Sequence, residues 1–302
     1  MPSIMGQPDK STQTLQSGII NLYKPPDITS HNAVKRVQKI LRTKKAGHAG
    51  TLDPFAEGVL LVCINRATRI VQYLTELDKS YIVEAVLGIE TDSYDMTGRI
   101  LKKQTSVDVT EQQVRDVLKR FEGEIIQRPP VYSAIKREGV PLYRLARKGI
   151  MVEPPPRRVK IKGIRLLKFD LPYVIIEVNC SKGTYVRSLI YDMGRLLKVG
   201  ATVKALKRTA IGPYRVEDSD SFEDIEARRF RLISLEQALS IFPSLRLDDR
   251  QSRLAIHGTG FFIGRELKPG RYSLIDSKGG FLGVATLKEN GQLKIEKILI
   301  DK

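Results

Sequence analysis

The sequence predicts an α+β fold that closes with a small β domain. Three observations predict it. Residues 80–88 (SYIVEAVLG) alternate at period two through Tyr81, Val83, Ala85 and Leu87, the pattern of a half-buried strand. Capping boxes at Thr110–Gln113 and Ser234–Gln237 stand ahead of predicted helices. After Pro243 the helical pattern gives way to short strands and the turn signals HGTG, KPG, DSKGG and ENGQ. A chain of 302 residues with 41% hydrophobic content can bury a sizeable core, as one large domain or one large and one small.

Taken in order, residues 1–17 are polar and read as a disordered leader without the apolar stretch of a signal peptide. Gly18 to Tyr23 reads as a strand stopped by Pro25 and Pro26. Thr29 or Ser30 caps a helix over about 31–43, with Val34, Val37, Ile40 and Leu41 on one face. The stretch 44–58 (KKAGHAGTLDPFAEG) carries Gly47, Gly50, Pro54 and Gly58 and reads as a loop. A helix is expected over 68–77 and another over 111–122, where Val114, Val117, Leu118 and Phe121 form the apolar face. Residues 127–157 are rich in proline and basic side chains and read as an excursion from the main sheet. Strands over about 158–169 and 173–180 follow, then a helix over about 185–198 after Gly183-Thr184. The first large domain ends near 243, and 245–302 reads as a separate β domain with an Asn290-Gly291 hairpin turn.

The formal net charge is +17, from 51 Lys and Arg against 34 Asp and Glu. Such a surplus points to a polyanionic partner. A membrane is disfavoured, because the longest apolar run, Val59 to Ile64, falls far short of the ~20 residues a spanning helix needs. Cys63 and Cys180 lie in apolar contexts and read as buried free thiols of a reducing cytoplasm. There is no Cys/His cluster with metal spacing, so no metal and no cofactor are expected.

The chemistry is sought first at Asp53, in AGHAGTLDP. An Asp before a Pro can simply serve a turn. In a loop with Gly47, His48 and Gly50, where backbone can approach a ligand, a site is an equal reading. No second carboxylate stands nearby except Glu57, so a glycosidase-like pair is not supported. Tyr185 and Arg187 flank a helix start, where free amides can meet an anion. The basic runs at Arg157, Arg158, Lys160 and Lys162 and at Lys204, Lys207 and Arg208 are either solvated faces or phosphate-positioning patches. Tyr81, Tyr132 and Tyr143 stand near basic residues and could stack on unpaired bases or pack in the core.

Five segments, in this order and spacing, resemble the bacterial TruB-type pseudouridine synthases: GIINLYKPPDITSHNAV (18–34), KKAGHAGTLDPFAEGVLLVCI (44–64), ATRIVQYLTELDKSYIVEAVLGIETDSYDMTG (67–98), PPVYSAIKREGVPLYRLARKG (129–149) and CSKGTYVRSLIYDMG (180–194). The resemblance implies a catalytic domain over 18–243 built on a mixed, mostly antiparallel sheet, an RNA-gripping insertion at about 127–157, and a PUA-like RNA-binding domain at 245–302. It implies the isomerisation of a T-loop uridine of tRNA (uridine 55) to pseudouridine, without a guide RNA, by glycosidic cleavage, base rotation and reattachment through C5. Base flipping into a pocket is required, since a stacked base is out of a nucleophile's reach.

By the same resemblance the catalytic residues are Asp53, Tyr81 and Arg187: Asp53 is the catalytic carboxylate, Tyr81 stacks on the target base and is a candidate for proton transfer, and Arg187 pairs with Asp53, keeping it ionised and orienting it. Lys24, His48 and Tyr185 are expected to bind substrate, and Leu52 and Ile190 to supply apolar pocket walls. The partner is the T arm of tRNA; no obligate protein partner is expected, and the protein is expected to be a monomer. One departure stands out: the family core often reads Lys-Pro-x-Gly, where this chain has Lys24-Pro25-Pro26-Asp27. Two alternatives remain. One is a non-catalytic RNA-binding or RNA-folding protein, and the other is the catalytic subunit of a guide-RNA-dependent particle.

Overall fold

The computed structural model describes residues 16–133, 135–137, 139–147, 149–150, 152–263 and 267–300. Most of the expected leader, 1–15, lies outside them, as does the side chain of Tyr143. Strand β1 (Gly18–Lys24) turns into helix α1 (Ser30–Leu41), whose N-cap Thr29 accepts a hydrogen bond from the Asn32 amide. Asp27 stands in that turn at φ 62°, the left-handed region glycine fills most easily and Asp tolerates. The departure from Lys-Pro-x-Gly therefore leaves a glycine-like turn in place.

Strands β2 (Ala46–His48) and β3 (Glu57–Ile64) follow. The stretch expected to be all loop is thus shorter: Ala46, Gly47 and His48 pair with Ile64, Cys63 and Val62. A 3-10 turn (Asn65–Ile70) and α2 (Val71–Thr75) precede β4 (Lys79–Leu87), which buries Tyr81, Val83, Ala85 and Leu87 as the alternation requires. A hairpin of β5 (Ile89–Thr91) and β6 (Ile100–Lys103) leads to α3 (Glu111–Lys119), which carries the expected capping box, and to β7 (Gly123–Gln127). The excursion holds β8 (Lys136–Arg137), β9 (Val140–Pro141) and α4 (Leu142–Arg147). Strands β10 (Arg157–Asp170) and β11 (Tyr173–Cys180), helix α5 (Val186–Leu196), β12 (Ala201–Ile211), β13 (Tyr214–Arg215), α6 (Phe222–Glu226) and α7 (Leu235–Leu239) complete this body.

The main sheet runs β1-β3-β12-β4-β11-β10-β7, with β2 on β3 and β13 on β12. All its pairs are antiparallel except β12 with β3, where Lys207 and Arg208 lie beside Glu57 and Gly58. This is the mixed, mostly antiparallel sheet that was expected. The central strand β12 corrects the reading of Lys204, Lys207 and Arg208 as one basic patch. A register shift between Val203 and Ala205 breaks the alternation, so Lys204 points out to Glu84 and Lys207 toward the Tyr23 ring, while Arg208 is fully buried.

One core lies under α3 and α5, built from Val83, Val114, Leu118, Val178, Leu189 and Met193 among others. A second lies between α1 and the β1–β3 pair. The C-terminal part has β14 (Ser244–Arg246), α8 (Asp249–Ile256), β15 (Phe261–Phe262), β16 (Gly270–Ile275), β17 (Phe281–Leu287) and β18 (Gln292–Ile298), in sheet order β14-β16-β17-β18-β15. Helix α8, with a box of Asp248 and Gln251, is an addition to the strands and turns read there. This sheet packs on the first body: Val284 and Leu299 share a core with Ile19, Tyr73, Leu74 and Ile211. Arg271 also pairs with Glu76 across the same junction.

Candidate active site

The Asp53 loop is held by its own backbone carbonyls, and the partners are buried polar side chains. Arg208 Nη2 donates to Gly50 O at 3.1 Å, Nη1 to Thr51 O at 3.3 Å and Nε to Val59 O at 2.8 Å. Ser30 Oγ donates to Leu52 O and accepts from the Leu52 amide. Lys24 Nζ reaches Pro54 O at 3.2 Å, and the Ala56 amide closes a turn onto Asp53 O. Buried carbonyls need such partners, and a loop so tied presents its one free carboxylate at a fixed place.

Lys24 was expected at the substrate. It is instead wholly buried, with its ammonium on the carbonyls of Pro25, Ile28 and Pro54. Burial and the Arg208 charge lower its pKa to about 8. Gly58, at φ 103°, lets β3 and β12 approach: a Cβ there would stand 2.3 Å from the Arg208 carbonyl oxygen.

Arg187 enters from the first turn of α5. The Gln127 side chain donates to Tyr185 O and accepts from its amide, fixing the helix start. The guanidinium meets Asp53 side-on, with Nη2 to Oδ1 at 2.9 Å and Nε to Oδ2 at 2.9 Å. Nη1 goes to Asp95 Oδ2 at 2.9 Å and to Ser93 O at 2.8 Å, and Nη2 also reaches Tyr132 O. The side chain of Arg187 is 5% exposed and that of Asp53 31%, so the arginine is sealed while the carboxylate keeps one open side.

Asp95 corrects the statement that no second carboxylate stands near. It is buried, and Ser93 Oγ, Thr97 N and Thr97 Oγ donate to it. Glu57, the neighbour in sequence, serves Tyr23 instead. The segment TDSYD was part of a quoted motif, and its polar density was the available signal. Burial raises the Asp53 pKa; Arg187 pulls against it, Asp95 adds to the rise, and Lys24 opposes it.

Two cavities meet at Asp53. One, of about 640 Å³, is lined by Leu52, Asp53, Tyr81, Tyr185, Arg187, Leu206 and Arg208 among others. It gathers Tyr81 and Tyr185 with the Asp53–Arg187 pair. The other, of about 1120 Å³, has His31, His48, Asp53, Tyr132, Arg144 and Arg187 on its walls. Burial, with the Arg208 cation, lowers the His48 pKa, so its ring is neutral near pH 7. Ile190, expected as a wall, is wholly buried in the α5 core; Leu206 and Val186 line the cavity instead. Tyr81 is buried on β4, and burial raises its pKa. Arg157 lies over the Tyr185 ring at 5.4 Å from its centroid. Among the described residues no three His, Cys, Asp or Glu side chains are grouped to hold a metal ion, and no helix is long and apolar enough to cross a membrane.

The fold has close matches of the pseudouridylate synthase class. A solved Cbf5-Nop10-Gar1 complex contains a chain that superposes with a TM-score of 0.72 at 29% identity, over 93% of this chain and 84% of that one. A chain in an H/ACA RNP bound to a substrate RNA containing 2'-deoxyuridine gives 0.71 at 27%, over 94% and 85%. The model of the TruB family pseudouridylate synthase N-terminal domain matches residues 38–186, and that of the tRNA pseudouridylate synthase B C-terminal domain matches 187–240. The tRNA pseudouridine synthase B of Clostridium tetani is 42% identical over 94% of this chain and all of that one. That of Dehalococcoides mccartyi strain CBDB1 is 39% identical over 94% and 96%. The chain belongs to the TruB family of pseudouridylate synthases.

Proposed function

We propose that the protein isomerises a uridine of tRNA to pseudouridine, as the names of its relatives say of them. The observation that carries the reading is the Arg187 fork on Asp53, whose open side faces a cavity shared with Tyr81 and Tyr185. One charge-assisted hydrogen bond from Nη2 and the ion pair at Nε orient the carboxylate and favour its ionised form. The cavity takes a flipped base, with Tyr81 as its aromatic wall. Asp53 attacks the ribose or the base, or otherwise drives glycosidic cleavage, and the enclosed pocket retains uracil while it turns. His48, neutral and on the wall of the second cavity, contacts the remodelled loop from which the base has left.

The T loop and its uridine 55 are the proposed target, read without a guide RNA and without an obligate protein partner, by a cytoplasmic monomer. The insertion at about 127–157 grips the T arm, and the C-terminal sheet serves as a PUA-like RNA-binding domain. Support comes from the +17 net charge and the exposed row of Arg158, Lys160 and Lys162 on β10. The structural neighbours drawn from guide-RNA particles favour the second reading, a catalytic subunit that needs partners.

Tritium release from tRNA labelled at uridine C5 tests both. The wild type alone should release label from tRNA and from an isolated T-arm stem-loop, and Asp53→Asn should release none. Release only after partner proteins and a guide are added would establish the second reading. Binding without release under any condition would leave an RNA-binding protein.

A further inference from the structure

The Asp95 turn is attached to α5 at two points. Asp95 holds Arg187, and the preceding residue, Tyr94, stacks on Tyr191 with ring centroids 4.0 Å apart and planes 17° from parallel. Arg187 and Tyr191 are four residues apart, so they rise on one face of α5, about one turn from each other. Consecutive residues of the turn thus meet consecutive positions of one helical face. Tyr94 takes φ 64° to do so. For a bulky aromatic residue that conformation is unfavourable and persists only where surroundings impose it. The turn is tied at its other side to the sheet, where Val203 N donates to Tyr94 O and Met96 N donates to Val203 O.

We propose that Tyr94 and Tyr191 form a positioning pair: their stack fixes the Asp95 turn against α5 and thereby sets how Arg187 is shared between Asp95 and Asp53. Neither ring lines either cavity, so the pair acts through Arg187 and not on the substrate. Arg187 has a finite set of N–H groups. Nη1 is committed to Ser93 O and Asp95, which leaves the Nε–Nη2 edge for Asp53. If the turn swings away, the guanidinium loses two of its anchors and its edge is no longer aimed at Asp53.

The inference rests on the proposed activity, and its test separates the two. The charged groups that act on Asp53 are Arg187 from α5, Asp95 from the turn and Lys24 from β1. Asp95 raises the Asp53 pKa. Arg187 lowers it and is the stronger of the two influences, so a turn that swings away and loosens the Arg187 grip raises the Asp53 pKa on balance. Tyr94→Ala should reduce kcat for tRNA on the order of 10-fold or more, with KM little changed, and should shift the acid limb of kcat to higher pH. Tyr94→Phe, which keeps the ring, should restore both. Carboxyl carbon NMR of Asp53, assigned by loss of its signal in Asp53→Asn, reads the same titration without activity: it should move to higher pH in Tyr94→Ala and return in Tyr94→Phe. A wild type inactive on tRNA would sink the proposed function but leave this NMR test standing. A folded Tyr94→Ala whose Asp53 titration matches the wild type would overturn the positioning role, even if its melting temperature falls. So would a Tyr94→Phe as impaired as Tyr94→Ala.

Discussion

Arg187 grips Asp53 by the edge of its guanidinium, Nε to Oδ2 and Nη2 to Oδ1, both at 2.9 Å. Nη2 donates a hydrogen bond, while Nε makes a close ion pair without one, and a lysine cannot reproduce this two-point contact. Arg187→Lys should therefore keep charge but lose orientation, and kcat should fall on the order of 100-fold. Its sign in pH follows from the ionisation. Burial raises the Asp53 pKa and Arg187 lowers it. Asp53 is ionised above that pKa, so activity that needs the carboxylate is lost as pH falls through it. Weakening the Arg187 contact moves the acid limb to higher pH, the same direction as the shift expected for Tyr94→Ala. A pH–rate profile of Arg187→Lys with an unmoved acid limb would contradict the arrangement.

Arg208 gives the second prediction. Three loop and strand carbonyls depend on it, and it is 1% exposed. Arg208→Met fills much of the volume but leaves those acceptors without their donor. Each buried acceptor left unsatisfied costs about 1–3 kcal/mol, so the total should be about 3 kcal/mol or more. Urea unfolding should show a lower midpoint at unchanged slope. The loop that carries Asp53 should also exchange its amide protons faster than the β10–β11 pair does.

How far the site was legible differs residue by residue. Asp53 stands out in sequence because a glycine-rich loop carries it with only Glu57 as another carboxylate, and the family resemblance suggests its role. The capping boxes at Thr110 and Ser234 were legible because they are local. Arg208 was not, because in a run of basic residues a sequence does not say which side chain alternation turns inward. Asp95 was not, because its partner Arg187 lies 92 residues away and only the packing of α5 on the 91–98 turn unites them. Lys24 was recognised as important for the wrong contact: its ammonium holds backbone, and the strand position that buries it is set by β3 alongside.

Two glycines of positive φ should respond very differently to alanine. Gly58 has φ 103°, and a Cβ there would meet backbone of Arg208 at 2.3 Å. Gly123 has φ 91° with open space around it. Gly123→Ala bears only the conformational cost of a positive φ, about 1–2 kcal/mol. Gly58→Ala adds a clash between strands that cannot separate without disturbing Arg208. Its loss should exceed about 3 kcal/mol. Thermal melts of the two variants should differ accordingly, and equal losses would mean that the β3–β12 contact is looser than it stands here.

Lys24 gives a pH dependence of stability whose sign is set by burial. Its folded pKa is lowered from 10.5 to about 8, mainly by desolvation. Between about pH 8 and 10.5 the unfolded chain binds a proton there that the folded chain has released. Stability contributed by this residue therefore rises with pH across that window, and below about pH 8 the buried ammonium is at its least favourable. Lys79 is lowered to about 8 for the same main reason and adds a slope of the same sign. Lys24→Met removes one of the two. Urea midpoints measured at pH 7.5 and 9.5 should therefore show the wild type gaining on Lys24→Met as pH rises. A difference that stays constant would mean that Lys24 titrates near its ordinary value, and that the three carbonyls around it solvate its charge as well as water does.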